Sequence, residues 1–191
     1  VLFRSRSSER TAVRSLDRLY VQSERWAELA GVLAVEAEIG QTPDEILEFK
    51  YRLGQVQEKR LGNVDLAIAA YRDVLAAAPE HQATLEALEA LFAAGTKQVE
   101  IAEILEPLYR QASEWEKLVK VHEAQLAHVP HVKPPPTDAG EALGGQEDRL
   151  QAYYRIAELH EERLADPLAT LATYIRALKE YPLDEKSGEE A

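Results

Sequence analysis

The sequence predicts an all-α fold, an α-solenoid built from antiparallel helix pairs. Three observations carry that expectation. Apolar residues recur at three- and four-residue steps along nearly the whole chain, while strand-like alternation is almost absent. Ala and Leu dominate the apolar set and Phe totals three, a composition that favours helix over strand. Two stretches are each written twice without a gap, which marks a structural tile.

Helices are expected at 9–22, 25–39, 44–60, 64–78, 82–94, 98–111, 115–128, 147–163 and 167–180. The third should start at Thr42, a cap followed by Pro43 at the first helical position and Glu45 closing a capping box. Gly62-Asn63 should end that helix and cap the fourth. In the fourth, Ala67, Ala70, Tyr71, Val74 and Ala78 form one apolar stripe. The seventh should open with a second capping box on Ser113 and Glu116. Pro107, within the sixth, is tolerable only in a first turn or at a kink. Asp166 and Pro167 should start the last helix, whose stripe reads Thr170, Leu171, Tyr174, Ala177, Leu178 and Tyr181. Short connections make such helices antiparallel neighbours.

The duplication is gap-free in both blocks. "YRLGQVQEKRLGNVDLAIAAYRDVLAAAP" (51–79) aligns with "YRIAELHEERLADPLATLATYIRALKEYP" (154–182) at an offset of 103. "LDRLYVQSERWAELAGV" (16–32) aligns with "LEPLYRQASEWEKLVKV" (105–121) at an offset of 89. Seven residues coincide in the shorter block, where unrelated sequence would give roughly one or two. The offsets differ by 14 because the first copy's "GQTPDE" is replaced by "AHVPHVKPPPTDAGEALGGQED" in the second. The chain is thus nearly two copies of a five-helix unit, and Gly54 and Ala157 hold matching places where helices approach closely.

The helix pair at 51–79 resembles a tetratricopeptide repeat, through Leu53-Gly54, Ala67, Tyr71, Val74-Leu75 and Pro79. The later copy carries the same resemblance in Ile156-Ala157, Thr170, Tyr174, Ala177-Leu178 and Pro182. A third unit, about 99–130, matches through Leu105, Tyr109, Trp115, Leu118 and Pro130. The sequence departs from the family at Lys50, where an early aromatic is usual, and at Gln57 and His160, where a late Tyr is usual. Its turns "RLGN" and "RLAD" are one residue longer than the common form. The resemblance implies helix-turn-helix units stacked into a right-handed superhelix. The expected organisation is a helical array over 9–128, a Pro/Gly-rich linker at 129–146, a helix pair at 147–182 and the start of a further repeat at 183–191. Val1–Ser5 corresponds to the translation of GTGCTCTTCCGATCT, a string resembling a sequencing-adaptor end, so residues 1–8 are read as artefact or disordered.

Composition bounds the function. The 191 residues carry a net charge of −12, which disfavours nucleic acid, a partner that requires a basic face. Cys is absent, excluding disulfides, thiolate metal sites and a Cys nucleophile. No apolar run approaches the ~18 residues of a membrane span. His160-Glu161 lacks the second His that a metalloprotease helix needs, since position 164 is Leu. His122, His128 and His131 read as surface histidines, and Gly144-Gly145 as a linker. Trp26 and Trp115, equivalent in the two copies, read as anchors in preference to ligand platforms. No catalytic residue, metal site or cofactor is expected.

What the resemblance implies is a protein-interaction or scaffolding module, part of a longer protein, with its partner surface on the first helix of each pair. Those positions are Glu48, Tyr51, Gln55, Glu58 and Lys59 in one copy, and Gln151, Tyr154, Glu158, Glu161 and Glu162 in the other. They lack the Lys/Arg/Asn clamp of the chaperone-binding subclass, and the later, acidic set suits a basic peptide segment. The alternative is a regulatory array attached to an enzyme, such as a kinase. The sequence leaves the compartment open, with the cytoplasm as the default.

Overall fold

A computed structural model of the chain describes residues 2–130 and 143–181. Among these residues the protein is all-α, with nine α-helices, one π-helical turn and no strand. The helices are α1 (Leu2–Gln22), α2 (Trp26–Ile39), α3 (Pro43–Lys59), α4 (Val64–Ala77), α5 (Gln82–Ala93), α6 (Gln98–Ala112), α7 (Trp115–His128), α8 (Leu143–Glu158) and α9 (Pro167–Glu180), with the π turn at Leu159–Arg163. The chain divides into two compact units, Val1–Ala94 and Gly95–Ala191. In the first, α1 pairs with α2 and α3 with α4, α2 packs on α3, and α5 packs on α4. In the second, α6 pairs with α7 and α8 with α9, and α7 packs on α8.

Most boundaries fall where expected. Two helices begin early: α1 starts at Leu2, taking in the segment read as artefact or disordered, and α8 starts at Leu143, inside the expected linker. Residues 131–142, including His131, and the start of a further repeat at 183–191 lie outside the described residues. Pro107 sits mid-way along α6, on an exposed face, and the helix continues through it.

Two of the four expected caps form as read. Thr42 Oγ1 accepts from the Glu45 backbone N–H at 3.2 Å, and Glu45 reaches back to the N–H of Gln41. Asp166 accepts from the N–H groups of Leu168 and Ala169, which satisfies two donors of the first turn of α9. The other two are corrected. Asn63 occupies the N-cap of α4, but its side chain donates to Gln57 Oε1 and caps nothing. Ser113 closes α6 in the left-handed region, φ 59°, and Glu114 is the N-cap of α7. The winning constraint there is a Schellman closure, with Glu114 N–H on Tyr109 O and Ser113 N–H on Arg110 O. The first copy does the same with Glu24, φ 55°, through Arg25 N–H on Tyr20 O and Glu24 N–H on Val21 O.

The longer turns of the other pair are absorbed by wide hydrogen bonds. Leu61 N–H reaches Val56 O and Asn63 N–H reaches Gln57 O; Leu164 to Leu159 and Asp166 to His160 repeat them. In the second copy this widening makes Leu159–Arg163 a full π turn.

The first core gathers Leu29, Ala30, Leu33 and Val56, with Trp26, Phe49 and Leu53 packed around them. Beside it Tyr71 is fully buried. Its ring lies over Gly54, where a Cβ would come 2.7 Å from Tyr71 Cδ1. That contact explains a mid-helix Gly, which by itself costs about 1 kcal/mol relative to Ala. The second core gathers Leu126, Tyr153, Ile156 and Ala177. Arg149 ties it together, bonding Glu180 on α9 and the carbonyls of Leu126 and Val129 at the end of α7. The apolar stripe of α4 is buried as expected, save a half-buried Ala78, and takes in Ile68 and Leu75 as well. On α9 the expectation is corrected: Thr170, Ala177 and Tyr181 are buried and Tyr174 is half-buried, but Leu171 and Leu178 are exposed. Their counterparts Ile68 and Leu75 lie on the helix that α5 covers.

Candidate functional site

In the first unit, packing claims much of the surface expected to be free. Tyr51 is half-buried, its ring 6.0 Å from Tyr71 and 5.3 Å from His81. Gln55 donates to the Tyr51 hydroxyl at 2.9 Å, and Glu58 accepts from the Tyr71 hydroxyl at 2.7 Å. Burial, reinforced by that bond to Glu58, pushes the Tyr71 hydroxyl far above the usual phenol range. Tyr51, Gln55 and Glu58 are thus brought together around one buried Tyr, while Glu48 and Lys59 are exposed.

The second unit treats the matching residues differently. Gln151, Glu158, Glu161 and Glu162 are exposed, and Tyr154 is 56% exposed. Tyr154 and Tyr174 repeat the ring pair of the first copy at 6.3 Å, but with no recorded bond from Tyr174 to Glu161. Among the described residues, no group of three or more His, Asp or Glu is placed to hold a metal ion, and no helix is long and apolar enough to cross a membrane.

Residues 49–81, covering α3, α4 and the turn into α5, match the family model of the tetratricopeptide repeat. The chain contains a tetratricopeptide repeat. Repeats of this type are typically non-catalytic modules that bind proteins or peptides. No curated protein matches the chain. Within the repeat, Tyr71 lies against Gly54 of its own helix pair, which supplies the packing reason for that Gly. Both Trp residues are half-buried beside the turn of the adjacent pair, with Arg60 4.5 Å over Trp26 and Arg163 5.1 Å over Trp115. Arg60 and Arg163 are themselves equivalent, so this cation–π contact belongs to the tile.

The second unit also holds a cleft that the sequence reading missed. It has a volume of about 260 Å³ and is formed by the ends of α6, α7, α8 and the π turn. Leu118 and His122 are its buried members, Trp115 and Leu159 are half-buried, and Arg110, Arg155, Glu158, Glu162 and Arg163 are exposed around them. His122 was expected at the surface; it is 4% exposed, because it stands at the position that Leu33 holds in the first core. Its Nδ1 lies 2.9 Å from Gln125 Oε1, and Gln125 Nε2 donates to Glu106 at 3.2 Å. Burial acts to raise the Glu106 carboxyl, but hydrogen bonds from Gln125 and Arg110 outweigh it and hold the group below its usual value.

Comparing the copies would have exposed this site. Val21, Leu33 and Val56 of the first copy become Arg110, His122 and Leu159, and the first copy's Arg52 pairs bidentately with Asp17 at 2.9 and 3.0 Å. In the second copy the matching acid, Glu106, is taken by Arg110 and Gln125, so Arg155 turns to the cleft.

Proposed function

We propose that this chain is a non-catalytic protein-interaction module, one segment of a scaffold, that takes basic peptide segments along α8 and the π turn. One observation supports it above the rest. The two copies carry equivalent residues on their first helices, yet packing ties down Tyr51, Gln55 and Glu58 and leaves Tyr154, Glu158, Glu161 and Glu162 exposed. Gln151, Tyr154, Glu158 and Glu161 recur at three- and four-residue steps, a spacing that puts them on one helical face. An exposed Tyr among carboxylates offers a face for stacking a guanidinium and charges to hold an ammonium.

A peptide array probed with the whole chain tests this reading. Lys/Arg-rich ligands should be retained, and binding should weaken steadily as ionic strength rises toward ~1 M, where the screening length is ~3 Å. Replacing Glu161 and Glu162 with Gln should weaken the same ligands. Salt-insensitive binding, or selection of acidic peptides, contradicts it.

A further inference from the structure

The cleft between α6, α7 and the π turn carries a separate assignment. We infer that it is an anchor pocket for an aromatic side chain with a hydrogen-bond donor at its tip, a phenol O–H or an indole N–H, presented by a partner peptide. The pocket lies beside the acidic face of α8 but does not depend on basic-peptide recognition there.

Its chemistry follows from a fixed chain of hydrogen bonds. Glu106 accepts from the Gln125 amide, so Gln125 turns its oxygen toward His122. In the neutral ring, His122 Nδ1 donates to that oxygen and Nε2 is the acceptor. His122 is one of the residues forming the cleft and is 4% exposed as a whole, so a ligand donor that meets Nε2 leaves little of the ring in contact with water. An acceptor in such a place gains from a donor far more than it would at the surface.

The rest of the lining sets the shape of the ligand. Leu118, Leu159 and Trp115 make an apolar bed, and Arg163 already covers one face of the indole. About 260 Å³ suits one aromatic side chain and falls short of the ~300–1,000 Å³ of pockets that hold drug-sized molecules. The exposed rim carries both signs, Arg110, Arg155 and Arg163 against Glu158 and Glu162, but Arg110 is held by Glu106 and Arg163 lies over Trp115, which leaves room for a neutral group inside and charged residues of either sign flanking it. Aromatic anchors with one polar tip, seated in a pocket under a polar rim, are the usual hot spots of peptide recognition.

The first copy shows that these residues are additions to the tile. Leu33 and Val21 stand where His122 and Arg110 stand, and Leu33 is buried in a hydrophobic core. The tile folds without the polar residues, so packing alone does not call for them.

The test is a nuclear magnetic resonance titration of the whole chain, read at the His122 imidazole. In the free protein, the ring nitrogen shifts should report a proton on Nδ1 and a bare Nε2; the opposite tautomer overturns the assignment. Added p-cresol should shift Nε2 saturably, and 4-methylanisole, which keeps the ring and removes the donor, should bind roughly three- to tenfold more weakly. Indole against 1-methylindole should repeat the contrast, and the tighter pair identifies the natural anchor. H122L installs the residue of the first copy and should abolish the donor preference while the chain stays folded. Equal binding of p-cresol and 4-methylanisole, or no saturable shift, overturns the proposal. Tighter binding of phenyl phosphate than of p-cresol also overturns it, because the arginines would then define an anion site.

Discussion

Glu36 is 3% exposed, and its Oε2 has no hydrogen-bond partner. Burial raises its carboxyl above the usual 4.5, the charge of Asp17 adds to the rise, and Arg52 and Arg14 oppose it. The second copy has Gln125 in this place, and its amide donates to Glu106, the counterpart of Asp17. A Glu36→Gln variant should therefore find a ready acceptor in Asp17 and remove the cost of burying a charge. The folded carboxyl holds its proton more tightly than the unfolded one, so the native state binds more protons between the two values. Unfolding free energy of the natural chain should then fall as pH rises above ~4.5 through the folded value. The Gln variant should lack that slope. We expect it to be more stable by about 1 kcal/mol at neutral pH, with little difference near pH 4. Urea denaturation at the two pH values measures this, and an equal gap at both would contradict it. None of this was legible from one copy, where Glu36 reads as one more acid on a helix.

Turns decide how faithfully the sequence could be read at the level of elements. Thr42 and Asp166 behave as their motifs say, since each has a Pro next to it that fixes where the helix begins. Ser113 and Asn63 do not, because closing the preceding helix takes precedence over capping the next. Each hairpin turn spends one residue in the left-handed region: Glu24 and Ser113 in one pair, Gly62 and Ala165 in the other. Gly62 adopts φ 67° without strain, but Ala165 holds φ 51° with a Cβ against the following carbonyl. Ala165→Gly should relieve ~1–2 kcal/mol of that strain and return part of it as unfolded-chain entropy. A net gain of about 0.5–1 kcal/mol is expected in thermal or urea melts, with the helix content unchanged. A loss of stability would mean that the turn is held by side-chain contacts of Ala165 and not by its backbone.

At the scale of the whole molecule, periodicity and duplication made the fold legible. Tyr, Leu and Pro recur in the sequence where helices are expected to pack or end, and the structure packs Tyr71 over Gly54 at such a place. The surface was less legible, because the same side chain can pack or stand free according to what neighbours it. Tyr51 and Tyr154 are equivalent and each pairs with the Tyr of its second helix, yet His81 also covers Tyr51 while Tyr154 is largely exposed. The cleft was invisible to motif reading, since Arg110, His122 and Arg155 come from three helices and match no spacing pattern. Repeat chemistry also bears on how the chain folds. Units of stacked helix pairs draw stability from their nearest neighbours, so a unit whose core is complete can fold by itself. The first unit has such a core, with Leu29, Leu33, Val56, Ile68, Tyr71 and Leu75 all buried and α5 laid on α4. Residues 1–94 expressed alone should therefore be helical and melt in one cooperative transition. Circular dichroism followed through a urea titration tests this: a sloping, non-cooperative loss of helix would mean that the first core depends on residues beyond Ala94.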